Sequence, residues 1–175
     1  MSSARLWATF ALALFASPAC GYHALSGAES LGPNVHSIEL KALENETREP
    51  GLETLVGEAM NEEFTRRGWL KSGVQGELSD PDLIMMGTLR TANYHSSSYS
   101  AGALALEESI DISLDLKVER AATKEVIWHD GNLHVREVFL SSADPGIFAS
   151  NKEQALRRLS SEIAQRVHDE LFQKF

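Results

Sequence analysis

The sequence contains a single cysteine, so no disulfide bond can form within the chain. It is also poor in basic residues for its acidity: 16 lysines and arginines stand against 25 aspartates and glutamates, a formal net charge of −9. Proteins that bind nucleic acid carry clustered basic residues, and the acid excess therefore argues against a nucleic-acid partner. Hydrophobic residues make up 43% of the 175 positions, which is typical of one globular domain.

Catalytic and metal-binding motifs are missing as well. The sequence has no paired-cysteine zinc motif, no nucleophile-elbow serine and no phosphate-binding glycine loop. His129 and His134 are the best metal-ligand candidates, but their odd spacing places them on opposite faces of a strand unless a bulge intervenes. Residues 95–103 are rich in serine and follow the pattern of a solvated loop rather than of a nucleophile and its base. The sequence therefore predicts no enzymatic activity, no metal and no cofactor.

An apolar run near the N-terminus, residues 6–16, is too short to span a bilayer. Arg5 precedes this run, and small residues follow it up to Cys20. These features are typical of a secretory signal at residues 1–19, and Cys20 resembles the lipidation site of a bacterial lipoprotein. A covalent lipid on Cys20 would anchor the chain in a membrane. The alternative is an ordinary signal cut after Ala19, which leaves Cys20 unmodified.

After a tether at residues 20–35, residues 36–175 predict a single domain with two amphipathic helices. An apolar stripe with helical spacing runs from Leu52 to Phe64, and Gly68 is a natural stop behind it. A second helix is predicted to begin at Asn151, a favourable N-cap residue. Its apolar stripe comprises Leu156, Leu159, Ile163, Val167 and Leu171.

Four strands are predicted, one before the first helix and three between the helices. Residues 110–118 alternate strictly between apolar and polar side chains, which indicates a sheet covered on one face. Residues 36–43 and the stretch from Leu83 predict two strands before it, and Val126–Leu140 predicts a return strand bulged near Gly131. The order β-α-β-β-β-α predicts an α+β fold: a two-layer α/β sandwich in which one mixed, mostly antiparallel four-stranded sheet carries both helices on one face.

Four basic residues on or near the second and third predicted strands form a candidate ligand site: Arg90, Lys117, Arg120 and Lys124. A local patch of this kind could bind an anionic group such as phosphate, despite the acidity of the whole chain. The alternative is a solvated face on which Asp111, Asp115 and Glu119 form salt bridges with these cations.

Five segments occur together in the order found in one protein family. They are residues 20–23 (Cys-Gly-Tyr-His), residues 38–53 with Asn45-x-Thr47 and Pro50-Gly51-Leu52-Glu53, residues 81–89, residues 124–128 and residues 153–159. Together they resemble the lipopolysaccharide-assembly lipoproteins of the LptE type. The resemblance covers nearly the whole chain after the predicted signal.

The resemblance implies a two-layer sandwich anchored by lipid in the outer membrane and facing the periplasm. It implies a role as plug and assembly partner of the large lipopolysaccharide-translocating β-barrel, LptD, and it allows for direct binding of lipopolysaccharide. One alternative function is a periplasmic lipoprotein that scaffolds or activates a peptidoglycan enzyme, because small sandwiches of this kind occur there too. Another is a metal-dependent hydrolase that uses His129 and His134.

Overall fold

The computed structural model describes residues 31–32, 34–99 and 105–173. The predicted signal, Cys20 and most of the predicted tether lie outside the described residues.

Two helices and six strands follow one another in the described part of the chain: β1 Ser37–Leu40, β2 Glu44–Asn45, α1 Leu52–Arg67, β3 Lys71–Val74, β4 Leu83–Tyr99, β5 Ala105–Arg120, β6 Val126–Leu140 and α2 Pro145–Gln173. The predicted α+β class with two helices and a mixed sheet is confirmed. The predicted number of four strands and their order are wrong. The sequence pattern misses β2 and β3 because two to four residues are too few to show a period of two.

The strands form one sheet in the order β3-β1-β4-β5-β6, and β2 pairs with β4 beyond the end of β1. β1 runs parallel to both β3 and β4, and β2 also runs parallel to β4. β4, β5 and β6 form an antiparallel meander, as predicted. The sheet is therefore mixed, with parallel pairing around β1 and β2 and antiparallel pairing among β4, β5 and β6.

One apolar cluster joins a face of the sheet to both helices. β5 contributes the inner members of its alternating pattern, all of which are fully buried: Ile110, Ile112, Leu114, Leu116 and Val118. The predicted stripes of α1 and α2 supply the opposite wall, and the two helices also contact each other. Because the inner face of β5 is apolar, its charged residues must face away from the helices.

The helix ends follow from capping chemistry. α1 ends as predicted at Gly68, whose φ of 68° is left-handed and whose N–H donates to the carbonyl of Phe64. The predicted start of α2 at Asn151 is wrong, because the helix begins six residues earlier at Pro145. The carboxylate of Asp144 accepts hydrogen bonds from the N–H groups of Gly146 and Ile147, and proline suits the first helical position.

Two irregular regions shape the meander. The prediction of a loop for residues 95–103 is wrong as far as Tyr99, because the backbone of this serine-rich stretch pairs with β5. The predicted bulge near Gly131 is confirmed: Leu114 pairs with Leu133 and Leu116 with Asp130, so three residue steps of β6 lie opposite two steps of β5. The extra residue reverses the side-chain alternation of β6 between His129 and His134.

Candidate interaction surface

The face of the meander turned away from the helices, which we call the outer face, is a layer of paired polar side chains. Its members come from all three strands: Arg90, Thr91 and His95 from β4; Asp111, Ser113, Asp115, Lys117 and Glu119 from β5; and His129, His134 and Arg136 from β6. They reach this face because every second residue of β5 faces the core.

Asp111 is the most enclosed carboxylate of the outer face, with only 8% of its side chain exposed. Arg136 donates two hydrogen bonds to it, at 2.7 and 3.1 Å, and His134 Nε2 lies 3.3 Å from its Oδ1. His95 approaches the other oxygen at 3.9 Å. The hydrogen bonds from Arg136 hold the pKa of Asp111 below its usual value, although burial alone would raise it.

Asp115, four residues further along β5, is the centre of a second group of paired side chains. His129 Nε2 lies 2.9 Å from its Oδ1, and Arg90 donates to its Oδ2 at 3.1 Å. These two partners lower the pKa of Asp115, with His129 the larger cause. Arg90 also donates to both oxygens of Glu46, at 3.1 and 3.0 Å, and so ties β4 and β5 to the loop after β2.

His129 and His134 lie on the same face because of the bulge, whereas a regular strand would separate them. Each imidazole nevertheless contacts a different carboxylate, Asp115 for His129 and Asp111 for His134. Within residues 31–32, 34–99 and 105–173, no group of three or more histidine, cysteine, aspartate or glutamate side chains is arranged to hold a metal ion.

The four predicted ligand-binding cations do not form one cluster. Lys117 and Lys124 share Glu119, at 3.8 and 3.5 Å. Arg120 lies 3.6 Å from Glu125 and donates to the carbonyl of Leu31 at 2.9 Å. Arg90 pairs with Glu46 and Asp115 as described above. Every one of these cations has a carboxylate neighbour, and their role in binding an anionic ligand stays a prediction.

A cleft of about 530 Å³ lies between residues 46–49 and residues 90–94 of β4. Tyr94 donates its hydroxyl proton to Glu49, and Lys152 of α2 lies 2.8 Å from the same carboxylate and 4.8 Å from the centre of the Tyr94 ring. Burial, and after it the hydrogen bond to Glu49, raises the pKa of Tyr94, so this phenol stays protonated. Glu49 thereby joins strand, loop and helix at one wall of the cleft.

The loop that lines this cleft is held by the Asn45-x-Thr47 motif. The side-chain oxygen of Asn45 accepts hydrogen bonds from the N–H of Thr47 at 3.0 Å and from its hydroxyl at 2.7 Å. The amide group of Asn45 donates to the carbonyl of Glu49 at 2.9 Å. These bonds are the turn chemistry expected of asparagine and threonine side chains.

No sequence motif marks His168 as unusual, although it lies at the helix interface with 1% of its surface exposed. Its ring is surrounded by Phe64, Trp69 and Phe172, at centroid distances of 5.2, 5.0 and 4.6 Å. Neither ring nitrogen has a hydrogen-bond partner among the described residues, since Oδ1 of Asp169 lies 3.6 Å from Nδ1, beyond hydrogen-bond range. Burial lowers the pKa of His168. The sequence feature that could have identified this buried histidine is its position next to Val167, a member of the apolar stripe of α2.

No helix in the described part of the chain combines the length and the apolar character needed to cross a membrane.

Comparison with known proteins identifies a family and a fold. A family model described as LptE, lipopolysaccharide-assembly, matches residues 35–171. No curated protein sequence matches the chain. Three similar solved structures are protein XCC0632 of Xanthomonas campestris (16% identity, TM-score 0.51, covering 78% of this chain and 84% of that one), lipoprotein B of Nitrosomonas europaea (10%, 0.51, 78% and 83%) and protein CT253 of Chlamydia trachomatis (11%, 0.50, 78% and 98%). At such identities the likeness shows the fold alone.

Proposed function

Because this chain belongs to the LptE family of lipopolysaccharide-assembly proteins, we propose that it is the lipid-anchored, non-enzymatic partner of a large lipopolysaccharide-translocating β-barrel of the LptD type. The observation that carries this proposal is the family match, which begins before β1 and ends within α2. The proposed role is assembly and plugging of the barrel in the outer membrane.

The outer face supports a position inside or against such a barrel. Barrels of the outer membrane have a polar interior, and charges on a surface that packs against the barrel wall lose contact with water and must be paired. On the outer face, Asp111 and Asp115 are each bonded to a cation and a histidine from neighbouring strands. These side chains are already fixed in place, so little side-chain freedom is lost when a partner covers them.

The anchor in this proposal is a lipid on Cys20. Eleven residue steps separate Cys20 from Leu31, and a chain of that length reaches at most about 40 Å. Leu31 is buried, and its carbonyl accepts a hydrogen bond from Arg120, next to the β5–β6 turn. The end of the sheet that carries this turn would therefore lie nearer to the anchoring leaflet than the Tyr99 end of β4.

Contact with lipopolysaccharide is the second part of the proposal, and the β5–β6 turn is the place that supports it. Lys117 and Lys124 share the single carboxylate of Glu119, which leaves one positive charge in excess. Lys124 is well exposed, so its ammonium group can turn towards an anionic ligand. Arg90 is less suited, because two carboxylates already occupy its guanidinium group.

The proposal is tested by isolating the full-length protein from its native membrane in mild detergent and identifying what accompanies it by mass spectrometry. We expect a large outer-membrane β-barrel in near-equal amount. The double variant Asp111→Lys with Asp115→Lys should release the barrel, because it places unpaired cations on the outer face. Arg157→Glu, which alters an exposed charge on α2, serves as the matched control and should retain the barrel.

Two results would contradict the proposal. Isolation of the protein without a β-barrel would contradict the proposed partnership. Isolation with a peptidoglycan enzyme would instead support the scaffold function named in the sequence analysis. The mass of the isolated chain also tests the anchor, because a lipid on Cys20 adds mass that the Cys20→Ser variant must lack.

A further inference from the structure

A groove of about 510 Å³ lies where the parallel strands β1 and β3 end, against the side of α1. Its floor is apolar and includes Leu40, Leu43 and Val74, of which the two leucines are buried. In sheets with parallel strands, ligands commonly bind just beyond the carboxyl ends of the strands. The groove belongs to the part of the sheet around β1, whereas the outer face belongs to β4, β5 and β6.

The helix wall of the groove contains Gly57, in the middle of α1. A glycine in the interior of a helix lowers stability relative to alanine. Packing does not require the glycine, because a Cβ atom at this position would meet nothing within 4 Å. The missing side chain therefore does not serve the fold, and what it provides is open space along the groove.

The rim of the groove is acidic, since Glu53, Glu58 and Glu77 line it. None of these three carboxylates has a cationic partner among the described residues, whereas the carboxylates of the outer face are bonded to cations. Lys41 also lines the groove, but its ammonium group lies 3.7 Å from the carboxylate of buried Glu39. The helix dipole accounts only for Glu53, which lies in the first turn of α1. The rim therefore carries negative charge that the described part of the chain leaves unpaired.

We propose that this groove binds an extended, basic segment of a partner protein, which places an apolar side chain beside Gly57 and lysine or arginine side chains along the rim. Opposite charges across an interface determine which partners fit. The apolar floor can bury an apolar side chain, which a protein segment supplies together with its cations. This inference goes beyond the barrel partnership and does not depend on it.

The charge of the rim argues against other occupants. Phosphate groups and nucleic acid are repelled, and so is a second copy of this chain, whose formal net charge is −9. A metal ion does not fit either, because the described residues include no group of three or more histidine, cysteine, aspartate or glutamate side chains arranged to hold one.

Binding of a synthetic peptide tests the groove. The labelled probe alternates lysine with glycine around one central leucine, and its counterpart has glutamate in place of lysine. Fluorescence anisotropy with the purified full-length protein should show binding of the lysine peptide alone, and this binding should weaken as salt is raised. Combining Glu53→Gln, Glu58→Gln and Glu77→Gln should weaken binding by about tenfold or more, because three charge pairs are lost. The control, which should bind as the unsubstituted protein does, is the matched triple variant on α2: Glu153→Gln, Glu162→Gln and Glu170→Gln.

Gly57→Leu separates a binding role from a structural one. Leucine is a good helix former and finds open space at this position, so the variant should melt at the same or a higher temperature. Its side chain fills the groove, and it should therefore weaken binding of the lysine peptide by about tenfold or more. If Gly57→Leu does not fold, the triple variant at the rim decides the question.

A photo-cross-linking amino acid in place of Thr54, which is exposed and lines the groove, identifies the occupant in native membranes. Mass spectrometry of the cross-linked peptide should give a segment in which lysine and arginine outnumber acidic residues. The same amino acid in place of Ser161, which is exposed on α2, is the control and should not capture that segment.

The proposal is wrong if the lysine peptide does not bind, if both peptides bind equally, or if the rim variant binds as tightly as its control on α2. It is also wrong if the position of Thr54 captures a neutral or acidic segment, or no segment. A captured basic segment of the barrel would support both proposals. A captured basic segment of another protein, in membranes from which no barrel is isolated with this chain, would support the groove and contradict the barrel partnership.

Discussion

At the scale of single residues, His168 is a buried titratable group that is influenced by charges from both helices. Glu63 and Arg67 of α1 and Asp169 of α2 surround the site, and Arg67 lies 2.7 Å from Glu63 and 3.3 Å from Asp169. Phe64, Trp69 and Phe172 complete the enclosure. Burial favours the neutral imidazole, and Arg67 adds to this preference.

We therefore expect His168 to make the protein less stable as the pH falls below 6.5. The unfolded chain takes up a proton near the ordinary histidine pKa of 6.5, whereas the folded chain does so only at a lower pH. The contribution of the neutral ring is fully present above pH 6.5 and is lost as the pH falls towards the folded pKa. Urea unfolding at pH 7.5 and pH 5.0 measures this loss, and His168→Phe should show a smaller one. An equal loss in both proteins would contradict the assignment.

Asp111 gives a second prediction, which concerns a lower pH range. Its pKa is lowered in the folded state, so its contribution is present at neutral pH and is lost as the pH falls below about 4. Asp111→Asn should reduce the free energy of unfolding by about 1.5–3 kcal/mol at pH 7, the usual value for a hydrogen bond to a charged group, and by less at pH 3. Denaturant titrations at both pH values provide the measurement. Glu153→Gln, which breaks an exposed pair within α2, is the control and should change little.

At the scale of secondary-structure elements, β4 and β5 leave no room for a side chain at Gly87. A Cβ atom at this position would lie 2.3 Å from the carbonyl oxygen of Asp115 and 2.4 Å from the Cδ2 atom of Leu116. Gly87→Ala should therefore destabilise the protein by about 1–3 kcal/mol, the usual cost of overpacking. Thermal melting followed by circular dichroism measures the effect.

Gly57 in the middle of α1 provides the matched control. Nothing lies within 4 Å of a Cβ atom placed there, and alanine is the better helix former. Gly57→Ala should raise the free energy of unfolding by up to about 1 kcal/mol. If both alanine variants lowered the melting temperature equally, the close approach at Gly87 would not be the cause.

The elements that the sequence predicts well are those whose apolar pattern repeats several times. The stripe from Leu52 to Phe64 and the alternation over residues 110–118 both repeat, and both are buried as expected. The start of α2 is harder to predict because Asp144 and Asn151 are both good N-cap residues, and only the capping bonds at Asp144 decide between them. The extension of β4 to Tyr99 depends on pairing with β5, which no local pattern reveals.

The outer face is predictable only in part, for a similar reason. Alternation along β5 places Asp111, Asp115 and Lys117 on one face, as the sequence indicates. The face on which each histidine lies depends on the bulge in β6. The sequence suggests a bulge near Gly131, but it does not show how many residues the bulge adds. His168 is missed because its aromatic neighbours come together only when α1 and α2 pack.

At the scale of the whole molecule, stability depends on the one apolar cluster that the sheet shares with both helices. Leu114 lies in this cluster and is fully buried. Leu114→Asp should abolish cooperative folding, because an unpaired charge would be placed in the interface between sheet and helices. Leu114→Met keeps the volume and the apolar character, and it should cost less than about 1.5 kcal/mol. Solubility and thermal melting compare the two, and a cooperatively melting Leu114→Asp protein would show that the assignment of the buried face is wrong.

The position of β1 between β3 and β4 has a consequence for the order of events during folding. Asp82, just before β4, accepts the N–H groups of His36 and Ser37, which lie 46 and 45 residues away along the chain. The meander joins neighbouring segments, and contacts between neighbours form faster than contacts across long separations. We expect the meander to form first and β1 to insert late. Until β1 has paired with β4, that edge of β4 can pair with strands of other chains. The rate at which β1 inserts therefore sets how long aggregation can compete with folding.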